Sequence, residues 1–316
     1  MTQPNKPTQS PRIDNGTTRV TASPVEERKA AAKHHQDVTK GLGGISWRFL
    51  TNIGKWQYLP MLLSDYGREI VRRKYDAIAT DRAYENIPSG LLGPIGAWVD
   101  RQVLDLPLHQ DLRHRLRFVV DGLNEQAQVH AQHGDGPVRI LSAPCGLIRD
   151  VVTTASELAV EAPDIADRLE FHALDLDPTG EVIPLARRRA EDAGVRVSFH
   201  QANLFDQESV METLPSGGFQ IVSCIGLTPW ITLEEVESLI RFFHDRVLVP
   251  GGTLVIDNFT EQARSPIADD LEIRATYHEP DRFVAALEAN GFRLVSTRTT
   301  ANETNTVYVA TSVPIS

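Results

Sequence analysis

From Val138 onward, short runs rich in β-branched residues alternate with stretches of helical periodicity, and this alternation restricts the fold more than any other feature of the chain. Strands are expected at 138–143, 169–175, 195–201, 219–225, 252–257, 291–298 and 305–312, and helices at about 148–160, 178–193, 232–246 and 280–290. Strands separated by helices need crossover connections, so they lie parallel in a sheet covered on both faces. The punctuation agrees. Asp177-Pro178 reads as a helix start with proline in the first turn, Ala193-Gly194 as its end, Thr232 with Glu235 as a capping box, and Asn290-Gly291 as the close of the last helix. The polar link from Ala301 to Asn305 is too short for a crossover, so the last two strands should form an antiparallel hairpin. The fold class is α/β, with a seven-stranded, mostly parallel sheet.

The first 136 residues are of another kind. Residues 1–38 are rich in Pro, Thr, Ser and Gln without apolar periodicity, and are expected to be a disordered or loosely docked tail. Residues 39–136 read as a helical lid or cap, with helical spacing from Leu59 to Ile78 and from Pro107 to Val129 (Leu112, Leu116, Val119, Val120, Leu123). A turn-rich connector, Ile87 to Gly90 and Gly93-Pro94, lies between them. The segment also carries Trp47, Phe49, Trp56, Tyr58, Tyr66, Tyr75, Tyr84 and Trp98, suited to filling a cap core or walling an apolar site.

Charge divides the chain at the same place. Up to residue 136 there are 18 Lys and Arg against 15 Asp and Glu; beyond it there are 14 against 27. An acidic second half argues against a nucleic-acid surface there, because such binding starts from a basic footprint. The runs Arg72-Arg73-Lys74 and Arg113, Arg115, Arg117 stand beside Asp65, Glu69, Asp76 and Asp111 and read as solvated helix faces. Two cysteines, Cys145 and Cys224, make neither a disulfide framework nor a metal-site pattern, so a cytoplasmic protein without a metal is expected. No run has the length of a membrane span, and the N-terminus lacks the apolar core of a signal peptide.

In an open parallel sheet, ligands sit outside the carboxyl ends of the strands, at the point where strand order reverses. The first strand ends in Ala143-Pro144-Cys145-Gly146, where Gly146 permits close backbone approach. The second ends in Asp175-Leu176, a carboxylate able to accept both hydroxyls of a ribose. The third ends in Asn203-Leu204, whose amide can read an adenine edge or close an Asx turn. The fourth ends in Ile225-Gly226, followed by Thr228-Pro229-Trp230, and Val249-Pro250-Gly251-Gly252 is a tight turn feeding the fifth.

On these residues, the order and spacing of Asp175, Asn203 and the Pro-Gly-Gly turn, residues 137–312 resemble class I S-adenosylmethionine-dependent methyltransferases, which are Rossmann-like. The resemblance implies S-adenosyl-L-methionine as cofactor, bound by Ala143, Pro144, Cys145, Gly146, Arg149, Asp175, Leu176, Asn203, Leu204, Ile225 and Gly226. The first motif departs from the family pattern, since only Cys145-Gly146 survives of its glycine-rich run, and a loop of altered shape is expected. Arg149 is placed to pair with the methionine carboxylate, or Asp150 with its ammonium group; otherwise both simply begin an exposed helix turn.

Methyl transfer from a sulfonium depends chiefly on alignment, with a general base needed only where the acceptor holds its proton. Tyr277 and His278, ahead of the last helix, are the candidates, His278 being alternatively a residue that only leads into that helix. The expected function is methylation of a small-molecule acceptor, at oxygen before nitrogen or carbon, without nucleic acid or membrane insertion. The alternatives are a methyltransferase-fold module without methyl transfer and an RNA methyltransferase. Oligomeric state is not legible.

Overall fold

The computed structural model describes residues 63–89, 93–265, 268, 269, 271 and 273–314. The N-terminal tail and Trp47, Phe49, Trp56 and Tyr58 lie outside the described residues. The described chain begins with helices α1 (Asp65–Arg73), α2 (Ala77–Glu85), α3 (Gly93–Leu104) and α4 (Pro107–Gln132). There follow β1 (Val138–Ser142), α5 (Arg149–Glu161), the short α6 (Pro163–Ala166), β2 (Leu169–Asp175), α7 (Val182–Asp192), β3 (Val197–Gln201), α8 (Gln207–Thr213) and β4 (Phe219–Cys224). The chain closes with α9 (Leu233–Phe242), β5 (Leu248–Phe259), α10 (Pro280–Ala289), β6 (Phe292–Thr299) and β7 (Asn305–Ser312).

The seven strands form one sheet in the order β3-β2-β1-β4-β5-β7-β6. β1 to β5 are parallel, and β7 runs antiparallel to both neighbours, because the β6–β7 hairpin folds back to lay its second strand against β5. Strand order reverses between β1 and β4, which places the ligand crevice at their carboxyl ends. On one face, Val119, Leu123 and Ala127 of α4 pack with α5 and α7 over Ile140, Ile221, Val255 and Val309. On the other, α8, α9 and α10 bury Val210, Val236, Leu239, Ile240, Phe283 and Leu287 against Leu141, Val222 and Leu254. At Gly122 the α4 backbone comes so close to β7 that an added Cβ would lie 3.0 Å from Val309 Cγ2.

Local chemistry accounts for most boundaries. Thr232 and Glu235 form the reciprocal capping box, and Gly194 and Gly291 adopt φ 68° and 81° just past α7 and α10. In the Val249 to Gly252 turn, Phe219 pairs with Leu248 and Ile221 with Thr253, so residues 249–252 bulge from the ladder. Gly252 is required there, since a Cβ would sit 2.9 Å from the Val249 carbonyl oxygen.

Three expectations are corrected. The helix after β2 starts at Val182 rather than at Pro178: Asp177, at φ 39°, accepts from the Val182 and Ile183 amides, both at 3.0 Å, across an intervening turn. The single helix expected from Leu59 to Ile78 breaks at Lys74 and Tyr75, both left-handed with φ 54° and 60°. Gly93-Pro94 opens α3 instead of lying in a connector. Proline is tolerated in a first turn, so the dipeptide has two readings.

Arg115 and Asp111 are not solvated. Asp111 is fully buried and accepts from Thr300, Asn302 and Thr304, fastening the β6–β7 link to α4. Arg115 faces β5, as described below. Among the described residues no helix is long and apolar enough to cross a membrane, and no cluster of His, Cys, Asp and Glu has the form of a metal site.

Candidate functional site

The carboxyl ends of β1 to β4 converge through backbone and carboxylate hydrogen bonds. The Ala143 amide donates to the Ser223 carbonyl (2.8 Å), the Cys145 amide to the Leu174 carbonyl (2.9 Å), and the Ala202 amide to the Asp175 carbonyl (3.1 Å). Asp175 holds the first loop directly: its Oδ2 accepts from the Gly146 amide and its Oδ1 from the Asp177 amide, both at 3.0 Å. Burial raises its pKa. Each oxygen retains a lone pair for a further donor. Leu176 beside it is 50% exposed, an apolar surface next to a hydrogen-bonding carboxylate.

The loop after β1 turns through two left-handed positions. Gly146 and Ile148 have φ 48° and 49°, and Ile148 is fully buried. A β-branched residue in this region costs on the order of 1–2 kcal/mol, so the surrounding packing holds the turn. Cys145 is buried and its thiol pKa is raised, chiefly by burial, so it packs and does not react. Asn203 Oδ1 accepts from the Phe205 amide (3.1 Å), closing the Asx turn and leaving its NH2 group as the remaining donor.

Arg149 and Asp150 go different ways. The Arg149 fork donates from Nε and Nη2 to both oxygens of Asp81 on α2 (2.7 and 2.9 Å), and Arg189 grips the same carboxylate from α7, so the Arg149 side chain is turned to Asp81. Burial opposes the Asp81 charge, but the two guanidinium groups override it and lower its pKa. Asp150 instead turns inward and accepts from the hydroxyls of Ser142 (3.2 Å) and Ser223 (3.0 Å) at the ends of β1 and β4. Burial raises its pKa. It therefore supplies a carboxylate at the point where strand order reverses.

A cleft opens beyond β4 and β5, between them, Tyr75, α2 and α4. Its wall is mainly apolar, with Leu108, Leu112, Pro229, Trp230, Phe259 and Ile273, and it includes Gly226 and Tyr277. Tyr277 lies under the Arg264 guanidinium, 5.2 Å from ring centroid to Cζ. His278 is not part of this wall: it is buried against Phe283, and its Nε2 donates to the Thr228 carbonyl (3.1 Å), which removes that nitrogen as a base.

The polar pairings at and behind the cleft wall escaped the sequence reading. Arg115, 3% exposed, donates to Asp257 Oδ2 (2.6 Å) and to the Tyr84 hydroxyl, and stacks between the Tyr84 and Phe259 rings. Burial opposes its charge, but Tyr84 and Asp257 more than offset this and raise its pKa. Asp257 Oδ1 also accepts from the Gly226 amide (2.9 Å), so one carboxylate ties α4, β4 and β5 together. Tyr75 donates to His109 Nε2 (2.9 Å), and His109 Nδ1 donates to the Val103 carbonyl (2.6 Å). A signal for Arg115 was present: Leu112, Arg115, Val119 and Leu123 share one helical stripe, whereas Arg113 and Arg117 point elsewhere.

A family model described as "Putative methyltransferase" matches residues 71–267. No curated protein matches the chain. Among solved structures, a Bordetella parapertussis protein described as a possible exported protein superposes with TM-score 0.64 at 19% identity, covering 93% of this chain and 100% of its own. Magnesium protoporphyrin IX methyltransferase from Synechocystis PCC 6803, with bound S-adenosylhomocysteine, superposes with TM-score 0.51 at 15% identity, covering 77% of this chain and 98% of its own. At these identities the likeness concerns the fold alone. The family match covers well over half of the chain, from within α1 through β5, and the chain belongs to this methyltransferase family.

Proposed function

We propose that this protein binds S-adenosyl-L-methionine at the ends of β1 to β4 and methylates a small molecule held in the adjoining cleft, at oxygen before nitrogen or carbon. The observation that carries this reading is the position of Gly226. It lies two residues past the carboxyl end of β4 and also lines the apolar cleft. The residues present suit the cofactor: Asp175 has lone pairs for two ribose hydroxyls, Leu176 an apolar face for a base, and Asn203 an amide donor for its edge. Of the two residues after the first-strand loop, Asp150 is the carboxylate for the ammonium group, while Arg149 is turned to Asp81. When bound, the cofactor would supply an electrophilic methyl group.

The chain's own residues would then position and exclude water. Trp230, Phe259 and Ile273 remove water from an acceptor, and the Arg115–Asp257 pair fixes the wall around Gly226. Removing solvent strengthens each remaining polar contact, and holding the acceptor in line lowers the entropic part of the barrier. Isothermal titration with S-adenosylhomocysteine tests the cofactor site. Asp175→Ala should weaken binding by tenfold or more, about 1.4 kcal/mol. Equal affinity in the two proteins refutes the assignment, and absence of binding to wild type favours a fold that has lost methyl transfer.

A further inference from the structure

We propose that Tyr75 and His109 make the cleft a receptor for a neutral hydroxyl compound, a phenol or alcohol, rather than a carboxylate. Tyr75 Oη would accept the ligand's hydrogen bond, and His109 would fix the direction of that bond. The identification of this cleft as the acceptor site rests on the function proposed above; the chemistry of its wall does not.

The argument starts at the Val103 carbonyl, which can only accept. His109 Nδ1, 2.6 Å away, must therefore carry the ring proton, and in the neutral imidazole Nε2 is then an acceptor. His109 is fully buried, and burial pushes its pKa down to about 4, which keeps this tautomer at neutral pH. The Tyr75 hydroxyl lies 2.9 Å from Nε2 and gives it its one proton, so Tyr75 Oη has only lone pairs left to offer. Tyr75 lines the cleft from a left-handed backbone position at φ 60°, directly after the left-handed Lys74. Such geometry at a non-glycine residue persists where surrounding contacts enforce it.

Among the described residues, the rest of the wall offers a carboxylate no uncompensated positive charge. Arg115 is the charged side chain among the lining residues, and its NH1 and NH2 groups are engaged by Asp257 and Tyr84. Its Nε has no partner but is sealed from solvent. Thr80 gives its hydroxyl proton to the Tyr75 carbonyl (3.2 Å). Tyr277 and the Trp230 indole N–H remain as neutral donors, and an ionised carboxylate taken out of water needs a counter-charge as well. A hydroxyl group needs one acceptor, and Tyr75 supplies it.

Calorimetric titration of the full chain with para-ethylphenol and para-ethylbenzoate, each with and without S-adenosylhomocysteine, tests the proposal. Wild type should bind the phenol about tenfold or more tightly than the benzoate, and in Tyr75→Phe the preference should fall to about threefold or less. His109→Phe, which frees the Tyr75 proton to point into the cleft, should lower the same ratio, and it carries the comparison if Tyr75→Phe does not fold. The ratio responds to hydrogen-bond direction, which a purely structural role would not alter. Equal or tighter binding of the benzoate, a preference that survives both substitutions, or no binding of the phenol to wild type overturns the proposal. Failure of S-adenosylhomocysteine to bind, with the phenol preference intact, refutes the cofactor reading alone.

Discussion

Removing one partner of the Arg115–Asp257 pair should cost far more than the pair contributes. At 2.6 Å and an effective dielectric constant of about 20, the attraction is roughly 6 kcal/mol. Desolvation of two ions, several kcal/mol each, offsets it, so the intact pair is close to neutral in net stability. Asp257→Asn keeps the volume and an acceptor for the Gly226 amide, but leaves a guanidinium that is 3% exposed without its counter-charge. The expected loss is about 3–5 kcal/mol. Arg115→Met, which leaves a fully buried carboxylate, should cost a similar amount. Neither uncompensated charge exists in the double variant, so its loss should be smaller than that of either single variant and far short of the sum of the two. Urea unfolding followed by far-ultraviolet circular dichroism measures all four corners of this cycle, with unchanged m-values as the condition for comparing them. Additive losses, or single losses below about 1 kcal/mol, would refute the view that this pair is a coupled, desolvated ion pair.

Two other outcomes follow from buried groups. His109 has a folded pKa of about 4 against an ordinary 6.5, so folding favours its neutral form. That contribution is complete above about pH 6.5 and is lost as pH falls toward about 4, amounting to roughly 2 kcal/mol between about pH 7.5 and pH 5. His109→Gln should remove this increment from the stability-versus-pH curve; an unchanged curve contradicts it. Gly252→Ala places a Cβ 2.9 Å from the Val249 carbonyl oxygen and should destabilise by about 1–3 kcal/mol in chemical denaturation, a cost that wild-type stability in the variant would disprove.

Parts of the protein were legible because their causes are local. The strand positions, the capping box at Thr232 and Glu235, the glycine helix ends and the β6–β7 hairpin rest on period, caps and turn chemistry within a few residues. The strand-end residues Gly146, Asp175, Asn203 and Gly226 were legible for a related reason: a parallel sheet places all its carboxyl ends on one edge. Misreadings arose where a local signal has two outcomes. Gly93-Pro94 both ends and begins structure, and Asp177 caps α7 from five residues away instead of one. His278 sits in a plausible sequence position for a base, yet its Nε2 is committed to Thr228, fifty residues earlier.

The amino-acid order alone settles an α/β domain with an acidic second half, its succession of strands, and the strand ends that meet along one edge of the sheet, because each follows from interactions within one turn or one strand. Which charges are buried is a different matter. Arg115 meets Asp257 across 142 residues, Asp81 meets Arg149 across 68, and Tyr75 meets His109 across 34. Such partners have no spacing rule, since their separation along the chain is fixed by how α1, α2 and α4 settle on the sheet, and the desolvation that gives them their protonation states exists only after that packing has closed.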